Sequence, residues 1–226
     1  MDINPLSEYV PDAFSGRQYY SQFGRVEESK ILFDRIESRY RTTRFIDFLP
    51  FWKGVIEFKE ENWENSSTYF LLFLENNPSS LIKEAYLYRA KAEYSLGNMK
   101  SAIFIMDKWF ELTEDYYSDP YALTFYLTLQ EKNEEYEHVI KLINNIEKNQ
   151  YKISWMEKLY LIHAESLYKS GHILDAEIYY KKILSADPDL ASIGFIRLFS
   201  IYKNDTELQK DIFDNAQLQL SGHPAM

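Results

Sequence analysis

Cysteine is absent from this chain of 226 residues, which excludes disulfide bonds, thiolate nucleophiles and cysteine-bound metal sites. Glycine and proline are scarce, with seven of each, and this disfavours a fold of many strands joined by tight turns. The longest fully apolar run, residues 69–74, is much shorter than the roughly 20 residues of a membrane-spanning helix. We therefore expect no strand-rich fold and no membrane span.

Basic residues are outnumbered, since 25 lysines and arginines stand against 35 aspartates and glutamates and give a formal charge of −10. An acidic surface repels the phosphates of nucleic acids and the headgroups of anionic lipids. The one loose basic cluster, at residues 35–44, is interpreted as a solvated helix end. The charge therefore argues against a nucleic-acid partner.

A short sequence pattern recurs five times, from residues 24, 61, 97, 134 and 171, at spacings of 37, 36, 37 and 37. Three of these segments begin with glycine, and Glu61 and Glu134 take the same place in the other two. Apolar residues on both sides recur three and four positions apart, the spacing of a helix. The pattern predicts pairs of helices joined by tight turns, with the turn glycine in a left-handed conformation.

Small residues seven positions before the turn, at Gly54, Ala90 and Ala164, support this interpretation. They would allow two antiparallel helices to approach closely. Asp119–Pro120 indicates a helix start with Asp119 as N-cap, and the spacing of Ser154 and Glu157 is that of a capping box.

The sequence predicts an all-α protein of six helix pairs, in a single domain over residues 1–226. The predicted pairs are 11–23 with 26–41, 45–60 with 63–76, 80–96 with 99–113, 119–133 with 136–149, 153–170 with 173–186, and 189–203 with 206–219.

The repeats resemble the tetratricopeptide repeat (TPR) family. Residues 157–190 match best, through Tyr160, Ala164, Gly171, Ala176, Tyr180 and Pro188. The resemblance implies a right-handed TPR-like solenoid of antiparallel helix pairs. Its repeats would span about 10–46, 47–82, 83–119, 120–156 and 157–190, followed by a capping helix pair at 191–220.

Residues 70–80, 84–86 and 117–122 are similar to a bacterial subgroup of this family, the outer-membrane assembly lipoproteins and Tol–Pal coordinators. This similarity implies a protein of the bacterial periplasm or cell envelope. A cytoplasmic protein is the alternative, because the sequence itself does not fix the compartment.

The family resemblance also implies that the first helix of each pair lines the concave side of the superhelix. The residues that this frame predicts to bind a partner are Phe51, Trp52, Val55, Phe58, Tyr88, Lys91, Tyr94, Phe125 and Tyr168. Aromatic side chains with a polar group are good anchors for peptides, so we expect a groove for an extended or helical apolar segment. The alternative for any one of these residues is packing against neighbouring helices.

Motifs for catalysis are not found: the glycines form no nucleotide-binding loop or nucleophile elbow, and the four histidines are dispersed. We expect no enzyme activity, no cofactor and no metal site. The predicted function is a protein-interaction scaffold that binds a partner peptide or domain and helps to assemble a larger complex. The alternative is a structural subunit that self-associates through its ends, where Phe14, Tyr19, Tyr20 and Phe23 would be exposed.

Overall fold

The computed structural model describes residues 26–39, 46–76, 78, 80–148, 156–186 and 188–220, with residues 217–220 described by backbone only. These residues form eleven α-helices and three short 3-10 segments, and no strand. The all-α prediction is therefore confirmed for this part of the chain. The predicted helix at 11–23, the end residues Phe14, Tyr19, Tyr20 and Phe23, and Ser154 of the predicted capping box lie outside it.

Contacts divide the chain into two compact units, Met1–Glu114 and Asp115–Met226. That the chain is one domain over residues 1–226 stays a prediction. The helices of the first unit are α1 (Val26–Arg39), α2 (Leu49–Lys59), α3 (Trp63–Glu75), α4 (Ile82–Ser95) and α5 (Met99–Glu111), with a 3-10 segment at Ile46–Phe48.

The second unit begins with a 3-10 segment at Tyr116–Ser118, and a third segment, Ile183–Ser185, extends its helix α9. Its helices are α6 (Pro120–Lys132), α7 (Tyr136–Lys148), α8 (Met156–Lys169), α9 (Ile173–Lys182), α10 (Pro188–Ile201) and α11 (Thr206–Leu220). Sequential helices pack on each other in both units, α2 on α3 and α4 on α5 in the first, α8 on α9 and α10 on α11 in the second.

Four tight turns between paired helices of the described residues, at residues 61, 97, 134 and 171, share one geometry. Gly97 and Gly171 have positive φ angles of 81° and 87°, as predicted. Glu61 and Glu134 adopt the same left-handed conformation, with φ angles of 60° and 65°. In each turn the N–H of the next residue donates to the carbonyl oxygen five residues earlier, at 2.8 to 3.0 Å, which is the Schellman arrangement.

The small residues before these turns lie where two helices approach most closely. A Cβ atom added to Gly54 would be 3.1 Å from the Phe70 ring on α3, closer than ordinary van der Waals contact. Ala90 and Ala164 are fully buried. The predicted close approach of paired helices is thus confirmed.

Helix α6 starts as its sequence predicts. The Asp119 carboxylate accepts a hydrogen bond from the Ala122 N–H at 3.0 Å, and Pro120 is the first residue of the helix. This cap satisfies one of the amide groups that the first turn of a helix leaves without a partner.

Candidate partner-binding site

The first helices of successive pairs lie side by side within each unit. In the first unit α2 contacts α4, and in the second unit α8 contacts both α6 and α10. We call the outward surface of α2 and α4, and separately that of α6, α8 and α10, the first-helix face of its unit. All nine residues predicted to bind a partner lie on these helices.

An aromatic cluster joins α2 to α3 and α4 in the first unit. The Phe51 ring lies 5.2 Å from that of Trp52 and 5.5 Å from that of Phe70, centroid to centroid. Tyr88 stacks on Phe70 at 5.5 Å with 10° between the ring planes, and Phe58 lies edge-on to Tyr88 at 5.1 Å. Such pairs each contribute about 1 kcal/mol beyond the area they bury. The predicted binding aromatics therefore also hold three helices together.

Accessibility separates the predicted residues of the first unit into two groups. Phe51 and Val55 are only 3% and 6% exposed, so both lie in the core behind the face. The other residues are at least partly accessible, namely Trp52, Phe58, Tyr88, Lys91 and Tyr94. Tyr94, at 36%, is the most exposed of the predicted aromatics in this unit. That any of these residues binds a partner stays a prediction.

The first-helix face of the second unit carries two of the predicted aromatics, Phe125 and Tyr168, and an ion pair. Phe125 and Tyr168 are half-buried, and Tyr168 packs against the core of the unit. The Arg197 guanidinium on α10 donates to both Glu165 oxygens on α8, at 2.7 and 2.9 Å. Tyr180 donates to the same carboxylate at 2.9 Å. This two-point bond fixes α10 against α8 beside the predicted residues.

A polar side chain lies eight positions before the left-handed turn residue in four successive pairs, a recurrence that was not predicted from the sequence. These side chains are Lys53, Arg89, Tyr126 and His163, at spacings of 36, 37 and 37. The signal was present in the sequence, because the spacing is that of the repeat itself. Of the four, only His163 was singled out from the sequence, as a core or groove residue of a first helix.

Two of these side chains find partners on the neighbouring second helices. Lys53 forms ion pairs with Glu37 at 2.7 Å and Asp34 at 3.4 Å, both on α1. The Tyr126 hydroxyl lies 3.1 Å from Nε2 of His138 on α7. Each polar side chain thus faces the layer of second helices.

Arg89 lies in a cleft of about 460 Å³ between α3 and α4, which we call the Arg89 cleft. Its other polar lining residues are Glu64, Ser67, Thr68, Glu93 and Asn98. The Ser67 hydroxyl donates to Glu93 at 2.5 Å, and the Asn98 amide donates to it at 2.9 Å. The Nε atom of Arg89 is buried without a hydrogen-bond partner among the described residues.

The carboxylate of Glu93 is held ionised in this cleft. Burial disfavours its charge, but hydrogen bonds from Ser67, Asn98 and Ser101, with the nearby Arg89 charge, outweigh burial and lower the pKa of Glu93. The cleft therefore contains opposite charges on Arg89 and Glu93, and Glu64 adds a second carboxylate to its lining.

His163 lies at the equivalent place in the second unit, in a cleft of about 400 Å³ that we call the His163 cleft. Its polar lining residues are Glu137, Asn144, His163, His172, Asp175 and Tyr179. The His163 side chain is buried, with its ring centroid 4.1 Å from that of Tyr179. Neither ring nitrogen has a hydrogen-bond partner among the described residues.

Burial lowers the pKa of His163 to about 4, because a protonated ring would lose its hydration. Tyr179, unlike His163, has polar partners. Its hydroxyl donates a hydrogen bond to Glu147 at 2.6 Å, and the Lys182 ammonium lies 4.1 Å from the centroid of its ring. Burial and the Glu147 bond raise the pKa of Tyr179. At neutral pH the cleft thus holds an uncharged imidazole and an uncharged phenol.

The described residues provide neither a metal site nor a membrane span. They contain no group of three histidines, aspartates or glutamates placed to hold a metal ion. Among them, every helix is too short or too polar to cross a bilayer.

No family model and no curated protein matches the chain. It is similar in structure to a chain of the solved complex described as Naa15/Naa10 bound to HypK-THB, with a TM-score of 0.59 at 16% sequence identity. The match covers 96% of this chain and 32% of the other, so this chain spans about a third of that protein's length. Naa15 is a TPR-containing subunit. This chain therefore has an all-α, TPR-like helical-repeat fold.

Proposed function

We propose that this chain is a non-enzymatic scaffold that binds a partner protein on the first-helix face. The observation that carries the proposal is the row of partly exposed aromatics on α2 and α4, from Trp52 to Tyr94. Amphipathic aromatic side chains are favoured anchors at protein interfaces. The formal charge of −10 favours a protein partner over a nucleic acid. The partner in the similar complex, HypK-THB, supports such a role in general.

The test uses residues whose loss leaves the core intact. Tyr88 is unsuitable, because it stacks on Phe70 and its truncation would also destabilise the fold. Tyr94→Ala with Lys91→Glu changes the face itself. Phe104→Ala is the matched control, because Phe104 is 64% exposed on the second helix α5.

The measurement is capture from native extract, quantified by mass spectrometry for wild type, the double variant and the control. We expect the double variant to lose its main partner about tenfold or more, as for a hot spot, and Phe104→Ala to retain it. Equal capture by all three proteins would refute binding on the first-helix face of the first unit.

Self-association is the second candidate function. It is favoured by exposed apolar side chains on the C-terminal helix pair, Ile196 and Phe199 on α10 and Phe213 on α11. Light scattering over a concentration series tests it. A mass that rises with concentration, and returns to the monomer value in Phe213→Asp, would support self-association. A monomer mass at every concentration would exclude it.

The narrower proposal, a complex of the bacterial cell envelope, is supported by the sequence similarity at residues 70–80, 84–86 and 117–122 alone. Fractionation of cells that express the full gene tests it. Recovery with the envelope fraction is expected, and recovery with cytoplasmic markers would refute it.

A further inference from the structure

The His163 cleft is distinct from the first-helix face. Its walls come from the second helices α7 and α9, through Glu137 and Asp175, and His163 lies on α8 between them. An inference about this cleft therefore does not rest on the proposed function, and either can fail without the other.

The imidazole of His163 is the unusual feature of this cleft. It is 1% exposed, yet neither ring nitrogen has a hydrogen-bond partner among the described residues. Buried polar atoms in folded proteins are nearly always satisfied, by protein groups, water or a ligand. Because its pKa is about 4, the ring is neutral at pH 7 and offers one N–H and one acceptor nitrogen.

Charge in the cleft has one sign. Glu137 and Asp175 contribute carboxylates, whereas the lining that the described residues provide includes no lysine or arginine. Lys182 is near, but its ammonium donates to Glu147 at 3.2 Å and lies over the Tyr160 and Tyr179 rings. The cleft therefore attracts a cation and has hydrogen-bond acceptors for it.

We propose that the His163 cleft binds the guanidinium group of an arginine side chain from a partner protein. A guanidinium has five N–H donors in a planar fork, so it can bond to a carboxylate and to the acceptor nitrogen of His163 together. Its aliphatic stem would pack on the apolar lining residues Ile140, Leu167 and Ile178. At about 400 Å³, the cleft has room for one side chain.

Other ligand classes fit the lining less well. An anion would be repelled by Glu137 and Asp175. The described residues offer no group of three histidines, aspartates or glutamates for a metal ion. An apolar group would leave the His163 nitrogens without partners, which is unfavourable in a buried site.

The experiment follows the four histidines of the full chain by NMR, with carbon-13 in their rings and signals assigned by single His→Gln variants. The probe is arginine blocked as an N-acetyl methylamide. The same derivative of citrulline is the control, because it has the same shape without the charge. We expect saturable shifts of the His163 signals with the arginine compound, and binding of the citrulline compound about tenfold weaker or more.

Two variants make the test specific. Glu137→Gln with Asp175→Asn should weaken binding of the arginine compound about tenfold. Glu64→Gln, in the Arg89 cleft, should leave it unchanged. Equal binding of the citrulline derivative, no saturable shift, or full affinity in the double variant would each overturn the proposal. Agmatine, a small molecule that carries a guanidinium group, distinguishes a free ligand from a protein side chain. If agmatine binds and the blocked arginine does not, the guanidinium group does not come from a partner protein.

Discussion

The Arg89 cleft and the His163 cleft lie at equivalent places, two repeats apart, but the buried polar side chain has a different environment in each. On α4, Glu93 follows Arg89 by one turn and accepts hydrogen bonds from Ser67 and Asn98. On α8, the residue at the place of Glu93 is Leu167, and the nitrogens of His163 have no partner in the described structure.

The difference shows that one position of the repeat can carry either a charged or a neutral polar side chain. Where the next turn supplies a carboxylate, the position holds a permanently charged arginine. Where the next turn supplies a leucine, it holds an imidazole that burial keeps neutral. The fold is common to both units, whereas the charge at this position differs with the side chain that occupies it and with the burial of that side chain.

The largest expected effect is a pH dependence that His163 introduces. The unfolded imidazole binds a proton near pH 6.5, whereas the folded one binds it only near pH 4, so acidification favours the unfolded state. Wild type should lose up to about 3 kcal/mol of unfolding free energy between pH 6.5 and pH 4 relative to His163→Leu. Denaturant titrations at several values between about pH 4 and pH 7 measure this loss. Identical pH profiles in wild type and variant would contradict it.

The next largest effect is expected in the Arg89 cleft, at the opposite charges of Arg89 and Glu93. Glu93→Leu copies the second unit, removes the hydrogen bonds from Ser67, Asn98 and Ser101 and takes away the carboxylate charge near Arg89, so we expect a loss of about 2 kcal/mol. Arg89→Leu in the same chain should recover part of that loss. A double-mutant cycle from denaturant titrations measures the coupling. Strictly additive changes would mean that the two side chains do not interact.

A smaller effect is expected at the left-handed turns, since the described part of each unit has one glycine turn and one glutamate turn. Gly97→Ala and Gly171→Ala should each destabilise by about 1 kcal/mol, because alanine is strained at positive φ although nothing lies near the added Cβ. Glu61→Gly and Glu134→Gly should stabilise by about 0.5 kcal/mol, because glycine relieves the strain but loses more entropy on folding. Thermal unfolding measures all four variants. A stabilising Gly97→Ala would contradict the shared turn geometry.

The smallest effect is expected at the first-helix face. Tyr94→Ala should change the free energy of unfolding by less than about 0.5 kcal/mol, because Tyr94 is more than one-third exposed. The denaturant midpoint is the measurement, with Phe104→Ala as the exposed control. A large loss of unfolding free energy would mean that Tyr94 packs in the core and does not form part of the surface.

The helices were largely predictable from the sequence. The predicted segments 63–76, 99–113 and 136–149 correspond to helices Trp63–Glu75, Met99–Glu111 and Tyr136–Lys148. The reason is physical. Each turn needs a residue in the left-handed conformation and each close approach needs a small residue, so both residue types recur at the spacing of the repeat.

The candidate site was less predictable. A first helix in such a repeat packs against its partner and its neighbours, so helical spacing alone does not tell a surface aromatic from a core one. Phe51 and Val55 prove to be buried, whereas Tyr94 is exposed, and all three fit the same predicted face. The ring contacts among Phe51, Phe70 and Tyr88 join helices far apart in sequence, which a local pattern does not encode.

Site-specific photo-crosslinking tests the central claim, a scaffold that binds its partner on the first-helix face, most directly. A photoreactive residue would replace Tyr94 on that face in one protein and Phe104 on α5 in another, both exposed positions of the first unit. Irradiation in native extract should give a defined crosslinked partner from position 94 and none of that partner from position 104. The same partner from position 104 alone, or from neither position, would contradict the account.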